Sequence, residues 1–591
     1  RKPRRHHPAR HFTLCHCEEH SDAAIQRNRR ASHHIALASR ITPQTGLPCP
    51  DGFAMTRVCG LSRHVVACKD KVEGGSFLST TRECEKAFSL PPACSGGYKN
   101  EEMIKEDENA DMGLAALLAS LGEVTSTEED DLHRVSFDAM KVSFTPEAVV
   151  RSIEDAQVGE LLRLANEFAI PVTTRGAGSS LTGSAAPVRG GWVLDLSAMN
   201  GFSIDEEESV CVSQPGAVVA DIQKAAEEVG LFYPPDPSSK KFCTIGGNVA
   251  CNAGGLRCVK YGVTRDYVLA LGGFLPTGEK VKWGRATRKF ATGYNLRDLW
   301  IGSEGTLGVI TEVTLRLVPK PAVSRTFLAA FASEEEALQG PFALGRLGIR
   351  PSILEFLDQW TVSGVESYTG KTVLEGNPGL PVLLVELDGH PAQVEEDATK
   401  LLQWFSEAAV SHKAAANAEE AEELWEVRRK GSQAMKKLAN TKLNEDVVVP
   451  LKRQAELVAF VNGLREERDL RIGTFGHCGD GNLHVNFMYD REDADEAERA
   501  RIALGDLMRK VVELGGAISG EHGVGLAKTE FVRLMFNDAE WKTMQAIKKT
   551  LDPNGILNPG KIFEPFRPWE HVPVNVTLPW ENEPEECQPA S

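Results

Sequence analysis

Two short stretches in the last quarter of the chain concentrate side chains that do chemistry. TFGHCGDGNLHVNF holds His477 and His484, and Glu521-His522-Gly523 follows later. Two imidazoles and one carboxylate are a donor set for Zn2+ or a similar divalent ion with one position left open. The seven-residue spacing would send His477 and His484 to opposite faces of one flat strand. Their convergence needs a bend, which Gly476, Gly479 and Gly481 allow. Taken alone, the pattern is equally that of three solvent or core histidines. Arg428, in LWEVRRK, could bind a carboxylate bidentately. It could equally join Arg429 and Lys430 on the solvated face of a Glu-rich helix.

Four glycine-rich segments suggest where an anionic ligand could lie. In RGAGSSLTGSAAP, Gly176, Gly178 and Gly183 let backbone N–H groups approach an anion, and Ser179, Ser180 and Thr182 add hydroxyls. The third glycine comes too late for a dinucleotide G-x-G-x-x-G, and no acidic residue follows at that motif's spacing. Alone, this segment is an ordinary surface loop. PPDPSSKKFCTIGGNVACNAGGLRCVKYG sets Gly246-Gly247 and Gly254-Gly255 among Thr244, Asn248 and Asn252, which suits a flat ligand. ATGYNLRDLWIGSEGTLGVIT and Asn558-Pro559-Gly560-Lys561 complete the set.

These loops need a scaffold, and the periodicity supplies one. Gln157–Phe168 has a helical stripe of Val158, Leu161, Leu162, Ala165 and Phe168, stopped by Pro171. Val218–Val229 predicts a helix with Val218, Ile222, Ala225 and Val229 inward. Strands are predicted at Trp192–Leu196 and Ser209–Ser213. Tyr267–Leu275 and Lys280–Trp283 form a hairpin around Pro276-Thr277-Gly278. Val309, Val313, Leu315 and Leu317 alternate with Thr311, Thr314 and Arg316, as in a half-buried strand. Beyond Pro319 and Pro321 the pattern becomes α+β. Strands are predicted at Val382–Leu387 and Asp446–Val449, with charged helices at 417–439, 451–468 and 495–514. A last helix begins near 538 and ends in DPNGILNPGKIF.

The 591 residues allow about four domains. With 42% hydrophobic and 25% charged residues the composition is globular. No apolar run is long enough to span a membrane, and a net charge of −17 disfavours a nucleic-acid binder. The first hundred residues differ: they carry 16 Lys+Arg against 8 Asp+Glu, with 8 of the 15 histidines and 7 of the 13 cysteines. They show no periodicity and are expected to be a disordered or non-native extension, with Met103 and Met112 as candidate starts. Glu18, Glu19 and Asp22 argue against a transit peptide. The spacing of Cys15, Cys17, Cys49, Cys59, Cys68, Cys84 and Cys94 fits no paired metal motif. The tail with Trp569 and Trp580 reads as irregular.

Together the four glycine segments resemble the FAD-binding domain of the vanillyl-alcohol-oxidase/p-cresol-methylhydroxylase (PCMH) class, and the resemblance spans about 130–565. G-H-x-G-D-G-N-x-H followed by E-H-G resembles the cap of FAD-linked D-2-hydroxyacid dehydrogenases, the branch of the glycolate oxidase FAD subunit and flavin D-lactate dehydrogenase. The resemblance implies an α+β fold: an extension over 1–110, a two-subdomain PCMH-type FAD domain over 111–321, and a ferredoxin-like α+β cap over 322–540. Segment 541–565 would return to the FAD domain, and 566–591 would form the tail.

It further implies that Arg175, Gly176, Ala177, Gly178, Ser179, Ser180, Thr182 and Gly183 wrap the FAD pyrophosphate. Pro235, Asp236, Thr244, Gly246, Gly247, Asn248, Asn252, Gly254, Gly255, Tyr261, Gly262, Glu304, Gly305, Gly308, Val309, Ile310 and Asn558 would line the rest. The first loop lacks His and Cys, and Cys243, Cys251 and Cys258 read as packing residues, so the FAD is expected to be non-covalent. His477, His484 and Glu521 would bind the metal, with zinc expected. His522 would be the base, and Arg428 and Asn482 would bind substrate beside Asp480.

The implied reaction oxidises glycolate or D-lactate to the 2-oxo acid, with hydride transfer to flavin. Asn444-Glu445-Asp446 lacks a lysine that some relatives carry, which argues mildly against dicarboxylate substrates. Electrons would leave to a separate iron–sulfur subunit or to quinone, since after Cys478 only Cys587 remains. The expected setting is cytoplasmic, with peripheral membrane contact through the acceptor. The alternatives are an alkylglycerone-phosphate-synthase-like enzyme without net redox change, and a non-catalytic flavin-binding subunit.

Overall fold

The computed structural model describes residues 101–579, with side chains described from Glu108 onward. The expected extension over 1–100, with its seven cysteines, lies outside the described residues, as do Met103's side chain, Trp580 and Cys587. The helix Glu101–Leu121 crosses the expected boundary at 110, and it seats Leu117 and Leu121 in the core beside Val158 and Leu161.

The first half forms two main sheets with separate cores, and a short two-stranded pairing of Leu231–Phe232 with Val318–Pro319. In one sheet, Ala148–Arg151, Trp192–Asp195 and Val172–Arg175 run parallel, with Thr125–Ser126 antiparallel at the edge. The helix Asp155–Phe168 covers it with Val158, Leu161, Leu162 and Ala165. It ends on Ala169 in the left-handed region, two residues before Pro171.

The other sheet is antiparallel, in the order Phe202–Asp205, Val210–Ser213, Val309–Arg316, Val268–Phe274, Lys280–Gly284. Two details differ from the periodicity. Thr311 and Thr314 are buried along with the valines and leucines of Val309–Arg316. That strand is central in its sheet, so both faces are covered. The helix Val219–Glu228 buries Val219, Ile222, Gln223 and Ala226, one residue on from the expected Val218/Ala225 stripe, and Val229 is exposed. The Gln223 amide explains the rotation: it donates to the Tyr233 and Pro235 carbonyls, which turns a polar residue inward.

The cap is α+β, as expected. Its seven-stranded antiparallel sheet runs Ser411–Ala414, Val323–Ala330, Val382–Gly389, Ile353–Leu357, Arg471–His477, Asn482–Tyr489, Thr441–Val448. Helices cover both faces. Phe327, Phe356, Leu383 and Val385 pack under Pro391–Ala408, Gln454–Glu467 and Ala494–Glu513. Leu328, Leu357, Leu384 and Phe475 pack under Gln359–Thr369 and Ala418–Lys436. Among the described residues no helix is long and apolar enough to cross a membrane.

After the helix Asp538–Leu551 the chain lies against the parallel sheet. The Val172 amide donates to Ile556, and the Asn558 amide donates to Val172. Buried Asp552 organises this return. Its carboxylate accepts from the Ile556 amide (3.1 Å), the Leu557 amide (2.9 Å) and Lys548 Nζ (2.5 Å). The tail follows, stacking Phe566 on His571 at 4.6 Å beside Phe144. Removing this buried carboxylate leaves the Ile556 and Leu557 amides unpaired and takes from Lys548 its charged partner, leaving it only the Thr306 and Leu557 carbonyls. Asp552→Ala is therefore expected to lower the unfolding free energy by about 3 kcal/mol, seen as a lower urea midpoint. An unchanged midpoint would show that the return does not depend on this carboxylate.

Candidate active site

A long groove crosses the first half between its two sheets. The loop Arg175–Ala185 forms one side, and Pro237–Gly254 with Glu304–Ile310 forms the other. Among the described residues, no acceptor takes the amide N–H groups of Ala177, Gly178, Ser179 or Ser180. Thr174 Oγ1, also on the wall, is buried without a partner. Successive amides at a concave surface form an anion nest. The walls leave no room for side chains: a Cβ on Gly246 would stand 2.6 Å from Pro215 Cβ, and one on Gly176 would meet the Thr244 hydroxyl. The groove therefore fits a long, narrow, phosphate-bearing group such as FAD.

Of the residues expected to hold FAD, the wall is made by Arg175, Gly176, Ala177, Gly178, Ser179, Ser180, Thr244, Gly246, Gly247, Asn248, Gly254, Glu304, Gly305, Gly308 and Ile310. The others brace it from behind or face elsewhere. Thr182 offers its carbonyl to the Leu526 and Ala527 amides (2.7 and 3.0 Å), and Gly183 packs on Met140 and Leu526. Pro235 accepts from Gln223, and Asp236 pairs with Arg257 at 2.5 Å. Asn252 caps a helix in the left-handed region, and Gly255 lies against the Asp236 carbonyl. The Tyr261 hydroxyl donates to Asp388 at 2.8 Å, and Gly262 ends its helix. Val309 sits in the hydrophobic core. Asn558 Nδ2 clamps the Ser184 and Glu304 carbonyls (2.9 and 2.7 Å). The composition of the motifs does not separate these two jobs. Ser184, Thr174 and Phe242 line the groove and were not singled out from the sequence. Cys243 and Cys251 line it too. Burial pushes the Cys243 thiol up to about 12 and raises Cys251 as well, so neither is a thiolate near neutral pH.

In the cap, the required bend is a hairpin. His477 ends one strand opposite Asn482, and His484 pairs with Phe475 on the next. Both imidazoles therefore share a face. Their Nε2 atoms are 3.4 Å apart, and Glu521 Oε1 lies 3.4 Å from His477 Nε2 and 3.6 Å from His484 Nε2. The nitrogens and the carboxylate are thus aimed at one point. His477 Nδ1 is held by buried Glu355 at 2.5 Å, which leaves its Nε2 toward the cluster. Burial works against a charged His477, but Glu355 and Glu521 outweigh it and hold the ring well above its ordinary value. Burial, with His477 and His522 nearby, pushes His484 well below its own, so it is neutral and able to ligate. Burial raises Glu355, yet His477 and Arg428 bring it down to about 2.

His522 stacks on His484 with ring centres 5.4 Å apart. A second acid–imidazole group, Asp446, His484 and His522, lies directly behind the first. Asp446 is fully buried. Its Oδ2 accepts the amides of Gly520, Glu521 and His522 (2.9, 2.9 and 3.0 Å) and the Ser519 hydroxyl (3.0 Å). Its Oδ1 accepts Asn482 Nδ2 at 2.6 Å. Asn482, expected to touch substrate, spends its amide nitrogen on Asp446 and the Val447 carbonyl, and it is not on the cavity wall. Asp480 accepts the Asn482 amide, and burial raises it to about 6.

Arg428 fits neither sequence alternative fully. It is buried, donates Nε to Glu355 Oε2 at 2.6 Å, and stacks over Phe475 at 4.5 Å. Its Nη1 is buried without a partner, and the residue lines the cap cavity with His477, His484, Glu521 and His522. Glu355 and Asp446 were missed as site residues. The signal for Glu355 is a lone carboxylate in the apolar run ILEFL, which a strand can bury only beside a cation.

Glu521 and His522 line both the groove and the cap cavity. A groove lined by unpaired amides thus opens onto a cluster of imidazoles and carboxylates from the cap, an arrangement suited to a flavin-dependent oxidoreductase of PCMH-type fold. Residues 146–284 match an FAD binding domain, and residues 320–562 match the C-terminal domain of FAD linked oxidases. The glycolate oxidase subunit GlcD of Bacillus subtilis (strain 168) is 41% identical over 436 residues, 72% of this chain and 91% of that relative. A D-lactate dehydrogenase of Anaerostipes hadrus is 38% identical over 430 residues, 71% of this chain and 89% of that relative. The structure of p-cresol methylhydroxylase with substrate bound has the same fold, with a TM-score of 0.64 at 19% identity, over 77% of this chain and 97% of that one. The chain belongs to the FAD-linked oxidase family, and it is an enzyme.

Asp446→Asn would set an amide donor against either the loop amides or Asn482. Amide hydrogen exchange at Gly520, Glu521 and His522 is expected to speed up at least about tenfold, the equivalent of 1.4 kcal/mol. Unchanged exchange would show that the loop is held by other contacts.

Proposed function

We propose that the enzyme oxidises a small D-2-hydroxy acid, glycolate or D-lactate, to the corresponding 2-oxo acid. The observation that carries this reading is the shared wall: Glu521 and His522 face the cofactor groove and the cap cavity together. The names of the relatives support the same substrates. FAD, held non-covalently along the groove, supplies when bound an acceptor for the Cα hydrogen and its electron pair. A divalent ion held by His477, His484 and Glu521, with zinc favoured by the donor set, supplies when bound a Lewis acid for the substrate oxygen.

The chain's own groups do the rest. His522 takes the hydroxyl proton. Its ring is kept in place by the His484 stack and by the Asp446 grip on its backbone. Arg428 receives the substrate carboxylate through the guanidinium nitrogens that Glu355 does not hold. Asn482 acts on substrate only indirectly, by seating Asp446. The subunit name of the Bacillus relative supports a separate electron acceptor, an iron–sulfur subunit or quinone.

The test is to add D-lactate or glycolate anaerobically to the purified flavoprotein and follow flavin absorbance. Bleaching is expected in the wild type. His522→Ala is expected to slow it by about 10²- to 10⁴-fold, and a chelator to slow it until zinc is restored. A protein that binds flavin but is reduced by no 2-hydroxy acid would overturn the proposal in favour of a non-redox enzyme or a scaffold subunit.

A further inference from the structure

Glu355 lies within a strand, Ile353–Leu357, in which every residue is buried. The strand runs beside the one carrying His477, with Phe356 paired to Gly476 and Leu357 to Phe475. A carboxylate in such a place costs several kcal/mol unless both oxygens find charged or hydrogen-bonding partners. Here each oxygen has one. Oε2 accepts Arg428 Nε at 2.6 Å, and Oε1 meets His477 Nδ1 at 2.5 Å. Glu355 lines neither the groove nor the cap cavity, so it does not reach substrate or cofactor.

We infer that Glu355 is a positioning residue that joins the carboxylate-binding guanidinium and the metal-site imidazole into one mechanical unit. The inference rests on the proposed roles of Arg428 and His477 and adds the coupling between them. On the His477 side, accepting the Nδ1–H hydrogen bond selects the tautomer with its proton on Nδ1 and its Nε2 directed toward His484 and Glu521. On the Arg428 side, the carboxylate and the Phe475 face together set the guanidinium plane, and Nη1 is left unpaired. Phe475 closes the unit, because it also lies 5.8 Å from the His484 ring. Lysine could not replace Arg428 here. An ammonium is a single point of charge and cannot hold Glu355 while offering a second, differently directed donor to substrate. The coupling has a consequence that a plain substrate-binding arginine would not have. A change at Arg428, which touches no member of the His477/His484/Glu521 set, should weaken metal binding.

The experiment measures zinc affinity and KM on the FAD-loaded full chain after chelator treatment and zinc titration. Wild type, Glu355→Gln, Glu355→Asp and Arg428→Lys are compared. Glu355→Gln is expected to weaken zinc about 10- to 100-fold and to raise KM as well. Arg428→Lys is expected to raise KM and to weaken zinc by about tenfold, with flavin content unchanged. Wild-type zinc affinity in Arg428→Lys with a raised KM would overturn the coupling, as would wild-type zinc affinity in Glu355→Gln. If Glu355→Gln does not fold, Glu355→Asp decides. It keeps the charge but is one methylene too short to reach both partners, so unchanged zinc affinity and KM in it would overturn the inference. A wild-type protein that binds no zinc would instead refute the metal reading of the site, and the coupling with it.

Discussion

The site depends first on one buried charge. Asp446 has no access to water, and burial drives its carboxyl toward the neutral form. His522, Lys528 and His484 oppose this, as do the amides of the Glu521 loop, and the carboxyl is held well below its ordinary range. Gly520, Glu521, His522, Ser519 and Asn482 all donate to it. A loop of small residues has few apolar contacts with which to hold a shape, so its conformation comes from these hydrogen bonds. Glu521 and His522 point where they do because the amides preceding their side chains converge on one oxygen. Lys528 secures the far end of the same segment by donating to the Asp446 and Ile518 carbonyls at 2.6 and 2.8 Å.

The other side of that loop is gripped by the cofactor domain. Glu304 accepts the Val524 and Gly525 amides (2.8 and 2.7 Å) and the Ser184 hydroxyl (2.6 Å). Thr182 takes the next two amides through its carbonyl. Asn558, from the returning C-terminal segment, holds Ser184 and Glu304 together. The loop is thus stretched between a cap carboxylate and a cofactor-domain carboxylate, and the groups at its tip are common to the groove and the cavity. Rigid support on both sides is what places reacting groups to within fractions of an ångström.

The sequence carried the elements and the chemistry better than it carried the division of labour. The meeting of the two histidines of His-x6-His was legible because imidazoles joined by a glycine-rich turn can converge, and the hairpin brings their Nε2 atoms within 3.4 Å. The groove was legible because glycines cluster where backbone meets ligand. Position by position, the glycine motifs were less informative. Asp236, Tyr261 and Asn558 stand in them with their side chains bonded to other parts of the chain, since a residue type does not state which way its side chain faces. Glu355 and Asp446 escaped for a different reason. Each is a single acid in a strand, and its partners lie 36 to 122 residues away along the chain. Only the folded sheet brings them together. Arg428 shows the same limit, because its helix looks solvated by composition but is turned inward by Glu355 and Phe475.

The closeness of the two cavities also explains one glycine of the cofactor motif. Gly254 lines the groove, and glycine there suits close approach of a flat ring. Its missing side chain matters on the other side too. A Cβ at that position would stand 2.6 Å from Glu521 Oε2 and 3.1 Å from Glu521 Cβ. The carboxylate could only turn away from the imidazoles, and the Glu521 Cβ is carried by a backbone that Asp446 holds through the Glu521 amide. The wall between the cofactor groove and the carboxylate of the ligand cluster is therefore a bare backbone. A site that must bring a flavin close to groups on the cap has little tolerance for anything thicker. Glycine at this point answers to the cap as much as to the cofactor, which a motif read within one domain does not reveal.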